Sequence, residues 1–142
     1  ALLFSDAPEY PTIAIEAIRE MVRQTGDDLE MENGIATRGI IVRHLVLPGR
    51  LENSKRALKR LKSKISPNIP ISLMSQYTPI DRVKSHPQLG RRITGNEYHQ
   101  IVDYALDLGF ENLFIQEVND DTLTPDFNRE NPFDSSRTPD AK

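Results

Sequence analysis

The chain has 142 residues, of which 37% are hydrophobic, and this suffices for one domain with one hydrophobic core but not for two. Its formal net charge of -3 excludes the strong basic field that would hold nucleic acid or an acidic membrane surface. Because the chain contains no cysteine, it can form neither a disulfide, nor a thiolate zinc site, nor a cysteine-held iron–sulfur cluster.

The sequence also bears on where the protein resides. Residues 1–6 lack the basic segment and the long apolar segment of a signal peptide. The longest apolar run, residues 39–47, is too short to span a bilayer. We therefore expect a cytoplasmic protein that binds neither nucleic acid nor membrane.

The first predicted element is a helix over residues 8–25. Weakly apolar residues recur there at helical spacing, namely Ala14, Ala17, Ile18, Met21, Val22 and Thr25. Ser5 or Asp6 can cap its start, and Gly26 can end it in the left-handed conformation. Residues 27–37 are acidic and polar, which predicts a loop.

Three strands follow in the sequence. Residues 39–49 are rich in β-branched side chains and apolar at both alternating positions, which predicts a strand buried on both faces and ended by Pro48. Residues 70–77 predict a second strand, and residues 112–116 a short third one.

Two further helices separate these strands. Residues 54–65, with Asn53 as a cap, carry an apolar stripe on one side. The other sides of this helix are basic, with Lys55, Arg56, Lys59, Arg60, Lys62 and Lys64. Thr94 and Glu97 form a capping box that predicts the start of a third helix. Residues 80–92 predict a long loop.

Alternating helices and strands predict an α/β fold with a parallel sheet and right-handed crossovers. We expect residues 1–118 to form this domain and residues 119–142, which are polar, to form a flexible tail. Three strands cannot close a barrel, so the unit is part of a (β/α) barrel or one wing of a doubly wound sheet. Its exposed sheet edge indicates that it is a piece of a larger domain, or that it forms a homodimer.

Candidate site residues lie in and after the strands, because the active sites of parallel α/β folds lie at the carboxyl ends of the strands. Arg43 and His44 must point to opposite faces of one strand. Arg43 either pairs with a carboxylate or faces a polar cavity. His44 is either a neutral, hydrogen-bonded core residue or a catalytic one.

A polar cluster ends the second strand, formed by Ser75, Gln76 and Tyr77 with the threonine that follows. These residues either bind the polar groups of a ligand or only begin a turn. His86 and His99 lack neighbours at metal-ligand spacing, so we predict no metal site. No nucleophile–base pair is visible, and we nominate no catalytic residue.

Residues 39–49 and 71–79 resemble successive strand motifs of radical S-adenosylmethionine proteins, in particular those similar to pyruvate formate-lyase activating enzyme. Residues 5–10 and 17–26 resemble the helix before those strands. The resemblance covers roughly the first 80 residues. It implies that the chain is the C-terminal part of a partial, TIM-like (β/α) barrel.

In that family an N-terminal motif of three cysteines holds a 4Fe-4S cluster that binds S-adenosylmethionine. The resulting radical abstracts hydrogen from a glycyl radical enzyme or from another protein substrate. The resemblance therefore implies an oxidoreductase whose cluster-binding N-terminal half is missing from this chain, which alone is inactive. It implies that Arg43, Gln76 and Tyr77 contact S-adenosylmethionine, and that His44 and Ser75 line the substrate cavity.

Two other functions stay open. The chain could be a non-catalytic interaction module that docks through its basic second helix or its polar tail. It could also be a self-contained hydrolase or isomerase with a small-molecule site at the strand ends.

Overall fold

The computed structural model describes residues 7–118 and confirms a mixed α/β fold. Its elements follow the order α1 (Tyr10–Thr25), β1 (Glu30–Glu32), β2 (Ile35–Arg38), β3 (Val42–Leu45), α2 (Leu51–Lys64), β4 (Ile71–Met74), α3 (Gly95–Asp107) and β5 (Leu113–Phe114). The predicted caps Ser5 and Asp6 and the predicted tail, residues 119–142, lie outside the described residues.

The strands β3, β4 and β5 form one parallel sheet in which spatial order follows chain order. Val42 lies opposite Ile71, which in turn lies opposite Leu113. The predicted parallel pairing of the first two apolar strands is therefore confirmed. Each strand is shorter than its predicted range, because a strand extends only over the residues that pair with a neighbouring strand.

All three helices contribute to a core on one face of this sheet. Leu58 and Leu61 of α2 and Ile101 of α3 pack with Ile71 and Leu73 of β4, and all five side chains are buried. From α1, Ile15, Ile18 and Val22 lie partly buried against this core. The helix α2 packs against both α1 and α3, so the helices follow one another in the same order as the strands.

The other face of the sheet is open, which corrects the prediction that β3 is buried on both faces. Along β3, Val42 and His44 are half-buried on the helix side, whereas Arg43 and Leu45 are exposed on the other side. Phe114 of β5 is 48% exposed. The reason is that no described segment covers this face. A parallel sheet normally has both faces covered. The sequence of β3 is apolar at both alternating positions, although only one of its faces is covered.

A β-hairpin stands where the sequence predicted only a loop. The strands β1 and β2 pair antiparallel, with Glu32 opposite Ile35. Asn33 and Gly34 between them have φ values of 51° and 80°. Positive φ at both central residues is the two-residue turn for which Asn-Gly is the strongest short sequence signal. The acidic composition of the segment masked this dipeptide in the prediction.

Two helices differ from their predictions, α2 in where it begins and α1 in which side chains face the core. The helix α2 begins at Leu51 rather than at residue 54, and Arg50, not Asn53, precedes its first turn. The predicted capping box at the start of α3 is confirmed, with Thr94 accepting from the Glu97 amide. On α1, Ala17 and Met21 of the predicted apolar stripe are exposed, because the face towards the core is instead centred on Ile18 and Val22.

One buried side chain, Tyr98 of α3, connects the helix to β4 and to the segment after β5. Its hydroxyl donates to the Leu73 carbonyl at 2.8 Å and accepts from the Gln116 amide at 2.9 Å. Burial raises the pKa of this phenol, so it stays protonated and able to donate. Nothing in the sequence pattern indicates this bridge, because both hydrogen bonds reach residues that are distant along the chain.

Replacing Tyr98 with Phe should lower the free energy of unfolding by about 1–3 kcal/mol, because it leaves one buried carbonyl and one amide without their partner. The measurement is urea denaturation of both proteins. Tyr104→Phe on the same helix is the control, since no hydrogen bond of its hydroxyl to a described residue is found, and its midpoint should hardly move. Equal effects of the two substitutions would contradict the bridging role of Tyr98.

Candidate functional site

The carboxyl ends of the three parallel strands meet at one edge of the sheet. Residues 45–49, 75–78 and 116–118 end or follow β3, β4 and β5 at this edge. Hydrogen bonds continue the contact beyond the strands, because the Val46 amide donates to the Met74 carbonyl at 3.0 Å. The Ser75 amide donates to Oε1 of Gln116 at 3.2 Å. This edge is the candidate site.

Arg43 lies on the open face of the sheet, in the middle of β3. Its side chain is exposed, and it forms no ion pair or hydrogen bond with another residue among 7–118. Its cross-strand neighbour is Ser72, and the exposed Leu45 lies two residues further along the same face. Within the described chain Arg43 therefore has neither of its two predicted surroundings, a partner carboxylate or an enclosed polar cavity.

His44 lies on the opposite face, against α2. Its Nε2 is 2.9 Å from Oγ of Ser54, and burial lowers the pKa of the imidazole, which favours the neutral form. Ser54 is only 2% exposed, so this serine–histidine pair has no access for a substrate. The structure thus gives His44 a hydrogen-bonded position between β3 and α2, and Arg43 and His44 cannot line the same cavity.

The three predicted residues after β4 have different surroundings. Ser75 is buried, Gln76 is exposed, and Tyr77 is half-buried. The Tyr77 hydroxyl donates to the Leu89 carbonyl at 2.8 Å, which holds the following loop against the strand end. Burial raises the pKa of Tyr77. Of the three, Gln76 is therefore the side chain most available to a ligand.

The most highly connected polar group at this edge is the Glu97 carboxylate, which the sequence had indicated only as part of a capping box. It accepts from the Gly49 amide at 2.9 Å and forms a bidentate pair with Arg91, with both distances 2.7 Å. It also accepts from the amide and hydroxyl of Thr94. Gly49 has a φ of 66°, a conformation that favours glycine. Glu97 thus fixes the turn after β3 to the start of α3.

No signal in the sequence pairs Glu97 with Gly49, 48 residues earlier, or with Arg91. The capping box specifies only local contacts within one helical turn. Arg91 lowers the pKa of Glu97 to about 2, with further contributions from the bonds to Thr94 and Gly49. The side chains of Glu97 and Arg91 are 16% and 44% exposed, so the carboxylate is shielded from solvent while the guanidinium is partly open to it.

The two remaining histidines have roles in local backbone structure. Nδ1 of His86 lies within hydrogen-bond distance of the amides of Gln88 and Leu89, and Nδ1 of His99 lies 2.7 Å from the Gly95 carbonyl. Within residues 7–118 no group of three or more histidine, aspartate or glutamate side chains could hold a metal ion.

None of the described helices has the length and apolar character needed to cross a lipid bilayer.

A shallow, open hollow lies beyond β5 at this edge, lined by residues that include His99, Ile115 and Gln116. It is too open to enclose a small molecule by itself. The described chain therefore offers polar groups at the carboxyl edge of the sheet and the unpaired guanidinium of Arg43 on its open face. It encloses neither of these surfaces. It offers no accessible pair of nucleophile and base.

Comparison with known proteins gives one partial match. No protein-family model matches the chain, and no solved structure matches it. The uncharacterized protein MJ0674 of Methanocaldococcus jannaschii is 32% identical to it over 76 residues. This match covers 51% of the chain and 22% of the archaeal protein, so the chain spans about a fifth of the length of this relative. The name of the relative specifies no activity.

The ion pair of Glu97 makes a prediction for stability against pH. The pKa of Glu97 is about 2 in the folded chain, below its ordinary value of 4.5. Its contribution to the free energy of unfolding is therefore complete above about pH 4.5 and is lost as the pH falls towards 2. A shift of this size corresponds to roughly 3 kcal/mol. Glu97→Gln should lower the stability at pH 7 by about 1–3 kcal/mol and flatten the loss below pH 4.5.

Urea denaturation of both proteins between pH 7 and pH 2.5 measures this effect. Glutamine keeps the cap of α3, so the substitution removes mainly the charge. Glu20→Gln is the control, because Glu20 pairs with Arg23 on the solvent side of α1, where water screens the charges. The role of Glu97 is refuted if both variants show the same stability and the same pH dependence as the unmodified chain.

Proposed function

We propose that this chain forms consecutive units of a (β/α) barrel in a longer radical S-adenosylmethionine enzyme, similar to pyruvate formate-lyase activating enzyme. The observation that carries the proposal is the arrangement of the sheet, with three parallel strands in chain order, helices on one face and an open face that holds Arg43. Such an enzyme would be an oxidoreductase, and this chain alone would be inactive.

The arrangement of the helices favours a barrel over a doubly wound sheet. In a doubly wound sheet the helices cover both faces, whereas in a barrel they all lie outside and the strands face each other across the interior. Here α2 packs against both α1 and α3 on the same face. In a barrel the open face, with Arg43, Leu45 and Phe114, would be the interior surface.

The residues present meet only some of the needs of the implied cofactors. The chain has no cysteine, so none of its residues can hold a 4Fe-4S cluster, and those ligands must come from other polypeptide. S-adenosylmethionine carries a carboxylate, and the guanidinium of Arg43 can bind a carboxylate through two parallel hydrogen bonds. Gln76 can supply an amide donor or acceptor at the adjacent strand end.

The proposal separates the predicted site residues by face. Arg43 would contact the cofactor from the interior surface, and the exposed Gln76 would contact it from the carboxyl edge. Tyr77 would position the loop through its bond to Leu89. His44 and Ser75 would support the strand ends from behind, since His44 contacts Ser54 and Ser75 is buried. The protein substrate, a glycyl radical enzyme or another protein, would approach the same edge.

Arg43→Ala in the longer protein tests this assignment. Removing the guanidinium should weaken the binding of S-adenosylmethionine by about 10- to 100-fold, because it eliminates a charge-assisted pair with the carboxylate. The measurement is equilibrium dialysis after anaerobic reconstitution with iron and sulfide, together with the formation of 5′-deoxyadenosine. Arg56→Ala is the matched control, since Arg56 is exposed on α2, on the helix side of the sheet.

Two results would contradict the proposal. If the reconstituted longer protein neither binds nor cleaves S-adenosylmethionine, the function is wrong, and an interaction module becomes the better description. If the protein is active and Arg43→Ala binds the cofactor as tightly as Arg56→Ala, then the function stands and the role of Arg43 is refuted.

A further inference from the structure

We infer that the free edge of β3 pairs with a parallel strand from polypeptide that precedes α1, and that a further helix before this strand covers the outer flank of α1. The inference builds on the proposed barrel, but it does not depend on the chemistry proposed for it. It specifies which edge and which helix flank of the chain contact the rest of the protein.

The backbone of β3 has an unused row of hydrogen-bonding groups. The amides of Val42 and Val46 donate to carbonyls of the β4 segment, at 2.9 and 3.0 Å. Because successive residues of a strand direct their amides and carbonyls to alternate sides, those of Arg43 and Leu45 point away from β4. No described strand lies on that side, since the hairpin β1–β2 forms a separate sheet. Four backbone groups are thus left for another strand.

The side chains of β3 do not protect this edge. Natural edge strands usually carry charges, proline or bulges that prevent further pairing. Around β3 the exposed side chains include Ile41 and Leu45, at 40% and 38% exposure. Arg43 is the only charged side chain of the apolar segment 39–47, because burial lowers the pKa of His44 and favours its neutral form. This composition is that of an interior strand.

The helix α1 has a second apolar stripe that faces away from the rest of the chain. Tyr10, Ile13 and Met21 are 67%, 60% and 50% exposed, and with Ala17 they recur at helical spacing. Arg19 marks the side of α1 next to α2, because its guanidinium donates to the Lys64 carbonyl. Ala17 and Arg19 are two residues apart, which turns the helix by about 200°. The apolar stripe therefore lies on the flank opposite α2.

These two features lie at the same end of the assembly. The helices follow the order α1, α2, α3 and the strands the order β3, β4, β5, so α1 lies towards the free edge of β3. A strand that enters α1 by a right-handed crossover would run parallel to β3 and pair with this edge. The helix before that strand would lie beside α1, against the stripe.

The alternative occupant, a second copy of this chain, fits less well. Two identical edges related by a two-fold axis pair in antiparallel direction, whereas the crossover through α1 requires a parallel strand. A preceding helix–strand unit is therefore the occupant that these observations favour.

Amide hydrogen exchange, followed by NMR at single residues, tests the inference in the 142-residue chain and in the longer protein. We expect the amides of Arg43 and Leu45 to exchange rapidly in the isolated chain and at least 100-fold more slowly in the longer protein. The amides of Val42 and Val46 are the internal control, because they already donate to the β4 segment and should be protected in both.

Rapid exchange of Arg43 and Leu45 in the longer protein would overturn the inference. So would protection in the isolated chain that increases with its concentration, since that result would assign the edge to a second copy. The outcome is independent of the proposed function: a longer protein that protects both amides but does not bind S-adenosylmethionine would support the inference and refute the function.

Discussion

The structure depends on the pairing of β3 with β4, because this contact sets the direction of both strands and brings their carboxyl ends together. Around it, α2 and α3 bury Leu58, Ile101 and Leu73 on one face. The opposite face receives no comparable cover from residues 7–118. A parallel sheet exposes too much apolar surface when one face is left in water, and this imbalance is the physical reason for our proposal that the chain is part of a larger fold.

Side-chain hydrogen bonds to the backbone stabilise the edge where the strands end. Glu97 holds the turn at Gly49, Tyr98 joins the carbonyl of Leu73 to the segment after the third strand, and Gln116 accepts from Ser75. Each of these bonds links segments that are far apart in the sequence. A site at the ends of strands requires that these ends keep fixed relative positions, and these bonds supply that rigidity without occupying the open face.

The sequence predicted the elements well where hydrophobic periodicity was strong, and poorly where single residues decided the conformation. The apolar segments of β3 and β4 were sufficient to predict parallel strands, and Thr94 with Glu97 located the start of α3. The hairpin was missed because composition was given more weight than the Asn33-Gly34 turn. The open face and the contact of Glu97 with Gly49 could not be predicted, because they depend on which elements pack together in space rather than on local pattern.

The central claim of the proposal is that the face carrying Arg43 becomes an interior surface in a longer protein. Hydroxyl-radical footprinting with mass spectrometry measures this directly at Met74 and Phe114, which lie on that face, and at Leu106, which is exposed on α3. The account predicts that Phe114 and Met74 react in the isolated chain and are strongly protected in the longer protein, while Leu106 reacts equally in both. Unchanged reactivity of Phe114 and Met74 in the longer protein would contradict it.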